Sequence, residues 1–331
     1  MSSSTSLRDR RRRTLRVAML ILCGLLAATG ATPCAVAGTG GGAIAGAFVD
    51  LEPGGRGAAL AGALAPIVDD ATALHWNPAR LLALGDRAAA ISYADLYGLG
   101  LVHHTALQVA WPRFGRSLSW EADRIVSRRT DVASAWGFGV QTTRVDLDPE
   151  SYGEYDLTLA HARRGPWGLN WALAAHVLWV DADLEEVGAS GYRLDLAFTR
   201  SLPFELTGAL VVRSVLSRLS WDNERNETLP PVADVGCAAA PWQTLQVPLV
   251  MRFDLETSRL EHISLGAEWQ PAGEALTLRG GLRSRDDGDE TQLRASLGAG
   301  FAWRDVALDY GLAFDREELG ETHRFGLHVR F

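Results

Sequence analysis

The feature that most constrains this chain is a two-residue alternation of apolar and polar side chains, repeated along its C-terminal two-thirds. A period of two puts successive side chains on opposite faces of an extended strand. At 306–314, Val306, Leu308, Tyr310, Leu312 and Phe314 share one face, and Ala307, Asp309, Gly311 and Ala313 share the other. At 192–199, Tyr192, Leu194, Leu196 and Phe198 oppose Arg193, Asp195, Ala197 and Thr199. At 247–255, Val247, Leu249, Met251, Phe253 and Leu255 oppose Arg252 and Asp254. Weaker versions at 87–95, 102–112, 133–146, 154–163, 167–182, 204–218, 231–241, 262–270, 276–286, 290–302 and 322–331 bring the expected count to 14 strands.

The connections between these strands alternate in kind. Long polar segments fall at 147–153, 182–190, 219–230 and 285–290, and short ones at 164–166, 201–203, 241–244, 271–274 and 303–305. Outer-membrane barrels have long extracellular loops and short periplasmic turns, whereas a soluble sandwich has no reason to sort loops by parity. The expected fold is therefore an all-β transmembrane antiparallel barrel of about 14 strands. Segment 113–132 breaks the parity and reads as an overlong connection on the periplasmic side.

The rest of the sequence fits that reading. Hydrophobic residues make up 47% of the 331 positions, yet no stretch after the N-terminus approaches the 18 apolar residues of a helical span. Arg8, Arg10, Arg11, Arg12, Arg13 and Arg16 precede a short apolar run, Val17 to Ala28, and Ala35-Val36-Ala37 offers small residues for cleavage. Residues 1–37 thus read as a secretory signal peptide. Its removal leaves 26 basic against 39 acidic residues, a net charge of −13, which argues against nucleic acid as a partner. Cys237 then stands alone, so no disulfide forms within the mature chain. Trp111, Trp179, Trp221, Trp242, Trp269 and Trp303 fall near expected strand ends, where aromatic girdles sit. The last strand, ending His328-Val329-Arg330-Phe331, is the kind of alternating, aromatic-terminated segment that barrel-assembly machinery engages.

Residues 55–63, Gly-Arg-Gly-Ala-Ala-Leu-Ala-Gly-Ala, are followed at 69–81 by Asp-Asp-Ala-Thr-Ala-Leu-His-Trp-Asn-Pro-Ala-Arg-Leu. This pair resembles the N-terminal signature of the PorV/PorQ family, barrels related to the FadL-type transporters. Ala61 and Arg80 stand where that family usually has glycine. The resemblance covers about a tenth of the chain and implies an N-terminal segment, 38–84, tucked into a barrel formed by 85–331. From the residues themselves, Asp69 or Asp70 can cap a short helix over 71–76, and Pro78 ends it at Asn77. Asp69, Asp70, Trp76, Asn77 and Pro78 therefore read as structural parts of this plug.

Arg193, Asp195, Arg213, Arg252, Asp254, Glu268, Arg279 and Arg283, with Arg294 and Asp309, lie on the faces opposite the apolar ones and are the candidate lumen-lining set. They read either as an ion-pair network that fills the lumen or as a track for substrate. His103 and His104 are adjacent in a strand and face opposite ways, and the other histidines lack ligand spacing, so no metal site or cofactor is expected. No nucleophile–base pair or Gly-x-Ser-x-Gly elbow suggests an enzyme. Expected partners are outer-membrane lipid and a hydrophobic ligand, as in FadL relatives. The PorV resemblance implies an alternative, a barrel that shuttles secreted protein cargo in type IX secretion.

Overall fold

The computed structural model describes residues 51–331, apart from 122–123, 148–149, 184–187, 272–274, 287–290 and 315–320. The expected signal peptide, 1–37, the first part of the expected plug, 38–50, and portions of the long loops lie outside the described residues.

Fourteen strands form one closed antiparallel barrel. In chain order they are β1 (Ala88–Leu96), β2 (Val102–Glu121), β3 (Arg124–Leu147), β4 (Glu150–Arg164), β5 (Leu169–Ala182), β6 (Ala189–Leu202) and β7 (Leu206–Trp221). The second half comprises β8 (Val232–Trp242), β9 (Leu245–Asp254), β10 (Arg259–Trp269), β11 (Leu276–Asp286), β12 (Thr291–Trp303), β13 (Val306–Phe314) and β14 (Thr322–Arg330). A two-residue extension, Asn226–Glu227, adds to the end of β7. Each strand pairs with its neighbours in sequence, and β1 pairs with β14 from Ala88↔Arg330 to Asp95↔His323. That last pairing closes the cylinder.

The alternation of the sequence becomes the inside and outside of this wall. On β6, Arg193, Asp195, Ala197 and Thr199 are buried, whereas Tyr192 points outward and is 44% exposed. On β13, Leu308 is 55% exposed beside the buried Asp309. Ile91, Leu107, Phe138, Leu159, Leu216 and Leu297 extend the same apolar exterior around the barrel. An outward apolar face of this extent matches hydrocarbon rather than water. Trp111, Trp136, Trp242, Trp269 and Trp303 lie exposed toward the end with the short turns, and Trp179 toward the end with the long loops, as aromatic girdles require.

The structure corrects the reading of 113–132. Its described residues, 113–121 and 124–132, are not a loop but a continuation of two strands. β1 accompanies β2 only as far as Ala110, opposite Ala88, and β4 accompanies β3 only from Ser134, opposite Arg163. Beyond those points β2 and β3 remain paired with each other down to Glu121↔Arg124. The result is a two-stranded ribbon reaching past the short-turn rim by roughly 35 Å at about 3.3 Å per residue.

The outward face yields a direct test. Leu297 faces outward on β12, opposite Leu312. Leu297→Arg is expected to lower stability in phospholipid vesicles by about 2–4 kcal/mol, the cost of arginine near the bilayer midplane. Denaturant titration of the vesicle-inserted barrel measures it, and a loss below 0.5 kcal/mol would contradict lipid contact at this position.

Candidate functional site: the lumen

The lumen is filled in layers. At the short-turn half the wall turns small residues inward, among them Ala110, Ala135, Ala160, Ala162, Ala172, Ala174 and Ala197. Against them packs the segment 51–84, which contains helix α1 (Gly55–Ala59), helix α2 (Ala73–Trp76) and a 3-10 turn (Pro78–Ala83). Leu60, Leu64, Leu74, Leu81 and Trp76 of this segment are buried. Glycine is required where the approach is closest. A Cβ on Gly311 would run into the Gly55 carbonyl oxygen, and one on Gly57 would overlap the Trp76 ring.

The two halves of the N-terminal motif are stitched together by side chains. Asn77 is fully buried; its Nδ2 donates to the Ala65 carbonyl (3.0 Å) and its Oδ1 accepts from the Ala79 amide (3.1 Å). Pro78 opens the 3-10 turn, and Asn77, at φ −163°, separates that turn from α2. Arg80 Nε donates to the Val68 carbonyl at 2.9 Å. Ala61 adopts a left-handed conformation, φ 51°, at a position where the resembling family uses glycine.

The expected aspartate cap takes a different form. α2 begins at Ala73 with Thr72 as its N-cap and no side-chain cap bond. Asp70 instead accepts from the Thr72 amide (2.8 Å) and its hydroxyl, a turn that precedes the helix. Asp69 makes no cap and pairs with Arg56 Nη1 at 2.6 Å. The buried Arg56 guanidinium draws both carboxylates toward it, because it has no water to fall back on.

Arg56 is the hub of an ionic ring joining the segment to the wall. It contacts Asp70 at 3.1 Å and binds Glu268 of β10 through two bonds of 2.9 Å. Glu268 also receives Arg279 of β11 (2.6 Å), and Arg279 reaches Asp309 of β13 (2.5 Å). Asp309 meets His328 of β14 (2.9 Å), which lies 3.7 Å from Asp70. Burial works to raise the Asp70 pKa, but His328, Arg56 and Thr72 outweigh it and hold the carboxyl below its ordinary range. Burial together with Arg213 and Arg193 pushes His75 well below the usual histidine value, so its ring is neutral and accepts from Gln141 Nε2 at 3.3 Å.

Other inward arginines bond the backbone of the segment. Arg213 Nη1 donates to the His75 carbonyl (3.0 Å) while its Nε contacts Asp234 (3.3 Å), which Arg252 also binds (2.7 Å). Arg283 donates to the Ala61 carbonyl (2.9 Å) and pairs with Glu52. Arg324 donates to the Glu52 carbonyl. Asp254 does not join these groups. It sits at the long-loop rim and accepts the amides of Glu256 (2.8 Å) and Thr257 (3.0 Å), because the strand has reached its turn.

A second cluster lies at mid-height on β4–β6. His176 bridges Asp156 (2.9 Å) and Asp195 (3.2 Å), and Arg193 lies 3.4 Å from Asp156 and 3.2 Å from Asp195. Asp195 also accepts the Ser214 amide of β7 at 2.9 Å. There the β6–β7 register jumps from Leu194↔Leu216 to Leu196↔Val212, and Ser214 has φ 55°. Above this bulge β7 loses β8 as well: their ladder ends at Arg213↔Val232. Along 214–218 the seam is bridged by Ser217, whose hydroxyl accepts the Leu229 amide (3.0 Å) and donates to its carbonyl (3.2 Å).

Immediately inside this seam is a buried apolar cluster of Leu178, Val180, Ala189, Leu219 and Leu229, with Tyr152 and Trp221 against it. Arg193 lies one inward position below, since Gly191 pairs with both Leu178 and Leu219 and Arg193 pairs with Ser217. Arg193 Nη1, Ser214 Oγ and Trp221 Nε1 are buried without hydrogen-bond partners. By contrast, a groove of about 460 Å³ lined by Ile91, Tyr93, Phe301, Leu308, Phe325 and Leu327 opens on the outer wall and not on the lumen.

Sequence reasoning passed over Arg56, Asp156, His176, Asp234 and His328. All but Arg56 sit at the inward positions of their strands, so the same parity rule would have found them. Nothing in the sequence marks the bulge at Ser214.

No protein-family model and no curated protein matches the chain. Solved structures do match it in shape. The monoaromatic hydrocarbon channel CymD superposes with a TM-score of 0.60 at 12% identity, covering 85% of this chain and 98% of that one. A FadL homologue of Pseudomonas aeruginosa gives 0.56 at 11% identity, covering 84% and 98%. The Ralstonia pickettii toluene transporter TbuX gives 0.55 at 12% identity, covering 85% and 99%. The barrel is FadL-like in fold.

The ionic ring can be tested through conductance. Arg56→Ala removes the cation that Asp69, Asp70 and Glu268 share, and loss of one member of such a buried network costs about 3–5 kcal/mol. In planar bilayers the variant is expected to conduct ions more strongly than the wild type as 51–84 loosens. Equal conductance would show that Arg56 does not hold the segment in place.

Proposed function

We propose that this chain is an outer-membrane barrel that passively passes hydrophobic small molecules, with 1–37 removed as a signal, 38–84 as a lumenal plug and 85–331 as the barrel. The observation that carries the reading is the coincidence of two features. An apolar cluster sits near the long-loop end, and the wall directly beside it, between β7 and β8, lacks strand pairing. An apolar solute moving through a wall must leave water at a greasy surface and re-enter hydrocarbon without crossing a polar ladder. Here Leu229 occupies the greasy surface and a single serine hydroxyl closes the seam, so displacing residues 228–231 opens both together. The unpartnered donors of Arg193, Ser214 and Trp221 beneath and beside the cluster would hold an acceptor oxygen on such a solute. Hydrocarbon channels and a toluene transporter among the structural neighbours support this class of passenger. No chemical step is required, and the charged residues serve the fold and the binding surface. Placement in the outer membrane, with assembly machinery engaging β14, belongs to the same reading.

A second reading rests on the PorV/PorQ resemblance of residues 55–81 and on the filled lumen. A barrel that carries cargo proteins in type IX secretion needs no open path, and 51–84 occupies the short-turn half of this one.

One variant separates the two. In a Cys237→Ala background, Ser217→Cys with Leu229→Cys should form a disulfide across the seam. Cells without their own hydrocarbon channels, expressing the barrel, are expected to take up radiolabelled toluene faster than vector controls. The oxidised double variant should fall to the control rate and recover on reduction. Uptake indifferent to the crosslink would remove the transport reading. Co-purification of the same secreted protein with both variants, without any toluene uptake, would favour the cargo role.

A further inference from the structure

The ribbon formed by 111–121 and 124–133 is not explained by transport through the lumen. Beyond its base, where Val132 and Phe114 still pack in the lumenal core, it leaves the barrel at the end where the connections within 164–169, 202–206, 242–245 and 303–306 are short. Among the described residues both its long edges lack a strand partner, because neither β1 nor β4 continues alongside, and only Asp131 at the base of the β3 edge reaches β4, pairing with Arg164 at 3.0 Å. An unpaired strand edge offers a row of amides and carbonyls to any extended chain, and natural sheets cover or blunt such edges. The two edges differ. On the β2 side Pro112 lacks an amide hydrogen, whereas 124–133 contains no proline.

The charge of the ribbon is also out of keeping with the chain. Across 111–134 it carries Arg113, Arg116, Arg124, Arg128 and Arg129 against Glu121, Asp123 and Asp131, in a protein whose net charge is −8. The register sets Arg116 directly opposite Arg129, with Arg128 next to it opposite Ser117. Like charges directly opposite one another destabilise a two-stranded pair. An anionic neighbour would reverse the sign of that term. Three of the five arginines lie on the proline-free strand.

We propose that the 124–133 edge of β3 is a docking site for an acidic, extended protein segment, which adds as an antiparallel third strand beside the ribbon. The main-chain ladder supplies affinity, and the surplus of arginine in 124–129 selects an acidic segment. The inference does not depend on what crosses the barrel. It holds for a channel tethered to a periplasmic partner and for a cargo carrier alike.

The test uses the purified full barrel in detergent micelles and two fluorescent ten-residue peptides, one alternating Val/Thr with Glu and one with Lys replacing Glu. Anisotropy should show saturable binding of the Glu peptide, at least tenfold tighter than the Lys peptide, and weakening with salt. A barrel in which 115–131 is replaced by Asn-Gly, joining the opposed Phe114 and Val132, should lose it. Heat-modifiable migration on gels checks that this variant is folded. Strand addition has its own signature. Of the adjacent amides Val126 and Ser127, one points to β2 and the other to the free edge, so one of Val126→Pro and Ser127→Pro should abolish binding while leaving the barrel folded. Equal binding to the shortened barrel, equal affinity for the two peptides, or no binding would overturn the proposal. So would competition by phosphatidylglycerol vesicles combined with indifference to both prolines, which would assign the arginines to lipid headgroups.

Discussion

In hydrocarbon an unpaired backbone amide has no water to bond, so a sheet that crosses a membrane must have no edge. The pairing of β1 with β14 meets that constraint, and the rest of the architecture follows from it. Once the wall is closed, its outward side chains contact lipid and must be apolar, and every charge is driven inward. Inside, a charge cannot stand alone either. Desolvating a guanidinium or a carboxylate costs several kcal/mol unless partners replace the lost water. The ring Asp70–Arg56–Glu268–Arg279–Asp309–His328 and the cluster around His176 are how this interior meets the demand.

The same logic explains why the interior is rich in arginine and not merely polar. Residues 51–84 run through the lumen with only short helices, so many of their carbonyls have no partner of their own. The wall supplies donors. Arg213 bonds the His75 carbonyl, Arg283 that of Ala61, Arg324 that of Glu52, and Ser296 that of Ala59. Arginine suits this task because it can donate to a carbonyl and a carboxylate at once, as Arg213 does between His75 and Asp234. The inward glycines and alanines make room, and the arginines fix position.

The fold was legible because alternation is a direct image of a wall with two faces. Leu308 and Asp309 announce outside and inside without any knowledge of their neighbours. The ribbon was not legible, because past Ala110 β2 has lost β1 and before Ser134 β3 has not yet met β4, so no continuous wall imposes two faces. The alternation lapses, and Pro112 and Gly115 read as loop. The motif at 55–81 located the lumenal segment, but its pairings were hidden. Asp69 and Asp70 look like caps by local rules, and only the fold brings Arg56 and Glu268, 212 positions apart, within 2.9 Å. Asp254 failed for the opposite reason: parity places it inside, but it stands at the rim where the strand turns.

The seam beside β7 is the exception that closure would seem to forbid. Between Arg213 and Leu219 the ladder to β8 is missing, and Ser214 sits in a conformation that costs a non-glycine residue about 1–2 kcal/mol. What holds the defect is the same interior chemistry that holds the plug. Asp195 takes the Ser214 amide with one oxygen and faces His176 with the other, and Ser217 stands in for a strand by bonding both the amide and the carbonyl of Leu229. A defect caused by poor packing would leave its backbone groups unsatisfied. This one has side chains placed to satisfy the Ser214 amide and both backbone groups of Leu229, which is what a wall requires if a gap in it is to persist in the folded state.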